Sequence, residues 1–278
     1  MNDRPKAPSP LSPESKGETP GRKRLAGRRI LVVGGGQRSF DSETDPIGNG
    51  RAMSLLFARE GAAVAVADAN LDSAQDTLAR LEIEGGQGLA IQADVRSEAD
   101  IAGMVETAIG GLGGLDGMVY NVGTFGGVGL RGFDLAEWDR ILEINLRGAM
   151  LAGREALERM DAGGSIVLIS SIAAFRPGSQ LVAYDASKAA LGALMRHMAM
   201  EGARRDIRVN TVVPGQVDTP NGRIAGAGRA SRGRGENLAF RRQATAWEIA
   251  YAALFFLSGE SVYVTAQHLA VDSGMMGM

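Results

Sequence analysis

The feature that most narrows the fold is an alternation. From Arg28 onward, short apolar runs of strand length are each followed by a stretch with apolar residues at helical spacing. RRILVVGGG reads as a first buried strand breaking into glycine, and Asn49 to Glu60 carries the first helical stripe. AAVAVAD, GLAIQADV, LDGMVYNVG, SIVLISS, IRVNTVVP and HLAVDSG read as further strands. Leu71, Ala74, Leu78 and Leu81 share one helix face. Ile101, Met104, Val105 and Ala108 share another, behind a capping-box-like Ser97 to Asp100. Phe133 to Met160 holds two helical patterns, Tyr184 to Arg204 a long one, and Ala246 to Leu257 the last. Such alternation calls for parallel strands joined by right-handed crossovers. No proline-rich linker breaks residues 25–278, so the expectation is one α/β domain.

Residues 1–24 read differently. They hold Pro5, Pro8, Pro10, Pro13 and Pro20, with serines, lysines and glutamates between and no apolar stripe. The expectation is a disordered N-terminal tail, without the apolar core of a signal peptide. Composition closes off several function classes. A formal net charge of −2 gives no reason to expect nucleic acid or an anionic membrane as partner. The absence of cysteine excludes disulfides, thiolate metal sites and cysteine nucleophiles. With only His197 and His268, a histidine metal site is not expected. No apolar run reaches the roughly 18 residues of a membrane span, and a cytoplasmic location is expected.

The chemistry concentrates in SSIAAFRPGSQLVAYDASK. Tyr184 and Lys188 are four apart, and Ser171 precedes the tyrosine by thirteen residues. On a helix opening at Tyr184, the ammonium lies one turn along the same face. A cation beside a phenol lowers its pKa from about 10 towards working pH, which suits a general acid/base. Ser171 ends a predicted strand, where open α/β sheets place ligands.

The other end of the domain suits a dinucleotide. Gly34, Gly35 and Gly36 follow the first strand, but Gly48 and Gly50 open the helix only after about ten more residues. The turn reads as split by an insert over 37–46. A glycine turn into a helix N-terminus offers backbone N–H groups to a diphosphate, although tight turns also use glycine for steric reasons alone. Asp68 ends the second strand, where a carboxylate either binds an adenosine ribose or caps the next helix. It would repel a 2′-phosphate, which favours NAD over NADP, although Arg38 could reach a phosphate from the insert. Asp94 ends the third strand and either meets the adenine or caps a turn. Asn121 and Gly123 end the fourth, an asparagine to pin strands and a glycine to admit the cofactor.

In order, Gly34, Gly48-x-Gly50, Asp68, Asp94-Val95, Asn121-x-Gly123, Asn145, Ser171, Tyr184-x-x-x-Lys188 and Pro214-Gly215 resemble the classical short-chain dehydrogenase/reductases over residues of about 25 to 274. The resemblance implies a single-domain Rossmann-type fold, a doubly wound parallel sheet flanked by helices on both faces. It implies an NAD-dependent oxidoreductase that interconverts a secondary alcohol and a ketone. Tyr184 would be the acid/base. Lys188 would hold the nicotinamide ribose, Ser171 the substrate oxygen, and Asn145 a water relay through a bent helix. Pro214 and Gly215 would shape the loop at the nicotinamide, Thr219 would bind its carboxamide and Val217 would add a backbone contact. A homodimer or homotetramer is implied, with no metal. The alternatives are an epimerase or dehydratase that retains bound NAD, and a non-catalytic nucleotide-binding regulator.

Departures from the pattern matter. Val33 precedes Gly34 where the family has threonine, and Tyr120-Asn121-Val122-Gly123 replaces Asn-Asn-Ala-Gly. In the insert, Asp41, Glu43 and Asp45 alternate, but Pro46 stands where a calcium loop needs glycine, so a solvated flap is expected. The stretch 216–242 is expected to be a substrate lid. Its arginines (Arg223, Arg229, Arg232, Arg234, Arg241 and Arg242) read as a solvated loop or, alternatively, an anion clamp. Phe125, Phe175 and Leu181 are expected to line an apolar substrate pocket.

Overall fold

Each predicted strand joins one parallel sheet. The elements of the computed structural model run α1 (Pro13–Lys16), β1 (Arg29–Val33), α2 (Asn49–Arg59), β2 (Ala63–Asp68), α3 (Leu71–Ile83), β3 (Gln87–Gln92), α4 (Glu98–Leu112) and β4 (Gly117–Tyr120). Then come α5 (Leu135–Leu142), a π-helical turn (Glu143–Arg147), α6 (Gly148–Arg159), β5 (Ser165–Ile169), α7 (Val182–Gly202) and β6 (Arg208–Pro214). The chain closes with β7 (Val217–Asp218), α8 (Pro220–Gly226), β8 (Ala244–Thr245), α9 (Ala246–Leu257) and β9 (His268–Val271). The structure describes residues 7–38, 45–176, 179–226, 235 and 237–277. Asp41, Glu43, Arg229, Arg232, Arg234 and Met278 lie outside them.

The seven-stranded sheet has the order β3-β2-β1-β4-β5-β6-β9, and β7 pairs with β8 apart from it. All pairings are parallel. Burial on both faces explains the unbroken apolar runs. Ile30 and Val32 of β1 pack with α2, α3 and α9, while Leu31 and Val33 pack on the other face with α4, α6 and α7. The Ser97 signal holds: Ser97 caps α4 by accepting from Asp100 N. A reciprocal capping box that the sequence reading did not single out, Thr245 with Glu248, opens α9. Among the described residues, no helix is long and apolar enough to cross a membrane.

The N-terminal segment departs from expectation. Residues 7–24 are not a loose tail but lie along α9 and the end of α2. Ser12 caps the short α1, whose Ser15 is buried and donates to Glu248 (2.8 Å). The backbone N–H groups of Arg22 and Arg24 both donate to Glu60. Arg59 stacks over the Trp247 ring at 4.8 Å and donates to Gly17 O. The segment shows no apolar stripe because its docking uses main-chain groups and carboxylates, which periodicity cannot register.

Candidate active site

Strand order reverses between β1 and β4, and a cavity of about 890 Å³ opens at the carboxyl ends of these strands. Gly34, Gly48, Gly50 and Asp68 line one end of it. Asp94, Val95, Asn121 and Gly123 follow, then Ser171, Tyr184, Lys188, Pro214, Gly215, Val217 and Thr219. Of the site residues expected from sequence, Asn145 alone stands behind the wall.

At the end of the cavity beside β1 and β2, the chain leaves β1 through Gly34 at φ 78°. A Cβ on Gly50 would collide with the Gly34 carbonyl oxygen, so the two halves of the split turn pack backbone on backbone. The insert is closed at its base by a residue the sequence did not signal. Gly48 N donates to Gln37 Oε1 (2.9 Å), and Gln37 is itself bonded through its main chain to Ser73 Oγ. Helix α2 starts at Gly48 without a side-chain cap, and Gly48, Asn49 and Gly50 line the cavity. Uncapped N–H groups and the positive end of the helix dipole therefore open on it, which suits an anion.

Asp68 accepts from Gly36 N and Asn70 N, both at 3.1 Å. Capping of α3 falls to Asn70, which accepts from Ser73 N. The Asp94 carboxylate is gripped by Arg96 (2.6 Å), whose bonds hold its pKa below the usual range. Arg96 N also donates to it, which makes Asp94 the brace of its own turn. Asn121 Nδ2 donates to Gly34 O (2.9 Å) and pins β4 to β1.

At the other end, α7 begins at Val182, two residues earlier than expected, so Tyr184 lies inside its first turn. Lys188 Nζ lies 5.7 Å from the Tyr184 ring centroid and donates to Ile169 O (2.9 Å). Lys188 is 4% exposed, and burial pulls its pKa down to about 8. Ser171, just beyond β5, accepts from Ala173 N through its hydroxyl oxygen. Phe125 stands edge-on to Tyr184, with centroids 6.3 Å apart. Asn145 is fully buried in the π-helical turn. It accepts from Thr124 N (2.7 Å) and donates to Thr124 O and Ser187 Oγ (2.9 Å each). Its side chain thus fixes the cavity wall at Thr124.

This geometry coincides with what sequence comparison finds. A family model described as enoyl-(acyl carrier protein) reductase matches residues 46–276. Glucose 1-dehydrogenase of Gluconobacter oxydans (strain 621H) is 32% identical over 261 residues, covering 92% of this chain and 94% of its own. The chain is a classical short-chain dehydrogenase/reductase. Solved short-chain dehydrogenase/reductases superpose on it closely. One from Burkholderia cenocepacia J2315, in complex with NADP, is 30% identical with a TM-score of 0.81 over 90% of this chain and 98% of its own. A 7α-hydroxysteroid dehydrogenase complexed with NADH and 7-oxo glycochenodeoxycholic acid is 28% identical, with a TM-score of 0.82 over 95% of this chain and 98% of its own.

Within this short-chain dehydrogenase/reductase, the unusual Tyr120 has a task. Its buried hydroxyl donates to Ile144 O (2.6 Å) in the π-helical turn. Gly148 leaves room for it, since a Cβ there would collide with that hydroxyl. The end of the cavity beside Tyr184 is more polar than expected. Phe125 and Leu181 line it, but Phe175 turns away and packs edge-on against His268. Arg176, Ser179, Gln216 and Gln243 line it instead. Two arginines of the stretch 216–242 are paired within the structure: Arg223 with Asp218 (2.7 Å) and Arg242 with Glu248 (2.6 Å). β7, near the start of the stretch 216–242, pairs with β8 (Ala244–Thr245), just beyond its end.

Proposed function

We propose that this chain is an NAD-dependent oxidoreductase that interconverts a secondary alcohol and its ketone. The observation that carries this reading is the placement of Tyr184 one helical turn before the buried Lys188, with both lining the same cavity as Ser171. The donor set fits a dinucleotide. The uncapped N-terminus of α2 with Gly34, Gly48 and Gly50 takes the diphosphate. Asp68 takes the adenosine ribose and disfavours a 2′-phosphate, hence NAD. Asp94, Val95, Asn121 and Gly123 line the way to the nicotinamide end, where Pro214, Gly215, Val217 and Thr219 form the far wall. The bound nicotinamide supplies the hydride acceptor, or the donor in reduction.

The protein's share of the chemistry is position and proton transfer. The Ser171 hydroxyl holds the reacting oxygen. Tyr184 takes the alcohol proton in oxidation and returns it in reduction. An ammonium at Lys188 favours the phenolate, and Asn145 keeps the Thr124 wall and the start of α7 in register. Purified protein incubated with NAD and a panel of cyclic, aromatic and polyol secondary alcohols should produce NADH absorbance. Tyr184→Phe should lower that rate about 10²- to 10⁴-fold while leaving NADH binding intact. Equal rates in the two proteins would remove Tyr184 from the chemistry.

A further inference from the structure

We propose that the N-terminal segment from Ser9 to Gly17 is a strap that positions the mouth of the cavity, acting through Arg242 and the β7–β8 pair. The segment and the end of the lid are bonded in both directions. Ser9 N donates to Phe240 O (2.9 Å), and Arg242 Nε donates back to Ser9 O (3.1 Å). Six residues on, Thr245 Oγ1 donates to Ser15 O (2.7 Å). Glu248 ties the ends together: its carboxylate accepts from Ser15 Oγ (2.8 Å), from both Arg242 terminal nitrogens (2.6 and 2.9 Å) and from Thr245 N (2.9 Å).

What the strap holds is the wall. β8 (Ala244–Thr245) is two residues long and pairs only with the two residues of β7, Val217 and Asp218. A two-residue ladder has too few bonds to order itself. Yet Gln243 precedes it, Val217 belongs to it, Thr219 follows it, and all three line the cavity. The same contacts reach the opposite rim. Phe240 N donates to Ser273 Oγ, and two residues later Met275 lines the cavity and accepts from Arg176, which follows Ser171 on the next loop. Ser9, Phe240, Ser273, Met275 and Arg176 therefore form a continuous arc around the opening. Arg242 acts through its partners and is a positioning residue.

Two substitutions far from the chemistry test this. Gly17 has φ 71°, and a Cβ there would collide with the Trp247 indole, so Gly17→Ala lifts the strap. Ser15→Ala removes only the hydroxyl, which is bonded to Glu248 and to Ser12 Oγ. The readout is amide hydrogen exchange of the full-length protein, with α9 as internal control. In Gly17→Ala, exchange at 217–219 and 243–245 should rise about tenfold with α9 unchanged, and Ser15→Ala should move the same amides less. Unchanged exchange in the lid of both variants overturns the proposal. Acceleration spread equally through α9 overturns it too, since the segment would then be only a cover for that helix. A parallel NADH titration rests on the dinucleotide reading above: Gly17→Ala should weaken NADH about threefold. If wild type binds no NADH, that reading fails while the exchange result still decides the strap.

Discussion

Lys188 is a charged group held in a place that disfavours its charge. Its pKa of about 8 lies below the ordinary 10.5, with burial as the cause. Below pH 8 the ammonium is buried in the folded state, at a cost on the order of 3 kcal/mol. Between pH 8 and 10.5 the unfolded lysine binds a proton that the folded one does not, so this group's contribution to stability rises with pH. Lys188→Met should therefore melt at a higher temperature than wild type at pH 7 and lose oxidoreductase activity, and the melting gap should narrow towards pH 10. Calorimetry at the two pH values checks the sign, and a gap that widens would refute it. Asp68 offers the second test at this scale. Asp68→Ala should shift the ratio of NAD to NADP binding towards NADP by about tenfold, a difference of about 1.4 kcal/mol, measured by titration with the two reduced dinucleotides.

At the scale of elements, what could be read in advance depended on whether a signal was local. Strands β1, β2, β4, β5 and β6 were legible because they are buried on both faces, the half-buried edge strands β3 and β9 because they keep short apolar runs, and the helices because of their apolar faces. The convergence of Tyr184, Lys188 and Ser171 on one cavity was legible because helical spacing and a strand end fix their offsets. Gln37 was not, since it closes the split turn by accepting from a main-chain N–H eleven residues away. Nor was Tyr120, which looks like any strand aromatic until the π-helical turn presents a carbonyl to it. Phe175 was misassigned because sequence places it in the right loop but not on the right side of it. Two outcomes follow. Gln37→Leu should weaken NADH severalfold with a stability loss of about 1 kcal/mol, measured by titration and urea unfolding. Tyr120→Phe strands the Ile144 carbonyl in the interior and should cost about 1–3 kcal/mol, read in the same unfolding experiment.

Over the whole molecule, the two ends of the sheet do different work. The carboxyl end holds the cavity. The amino end is clamped by Arg29, whose guanidinium spans Asp116 and Asp161 at 2.7 Å each. Burial pushes the Asp116 pKa up, but its bonds from Arg29 outweigh this and leave it below the usual 3.8. Glu248 follows the same pattern below 4.5, with Arg242, Thr245 N and Ser15 as donors. Both folded pKa values lie below the unfolded ones, so their stabilisation is complete above those values and is lost as pH falls through the folded ones. The urea midpoint should drop below about pH 4, and Asp116→Asn should flatten that drop. The strap has a further consequence, in the order of assembly. Ser15 and Glu248 are 233 residues apart, and Gly17 rests against Trp247. Synthesis delivers one end of each contact long before the other. Ser15 must thus wait for Glu248 to be made before it finds its partner, and the mouth of the cavity takes its final shape only after the sheet strands between them have left the ribosome.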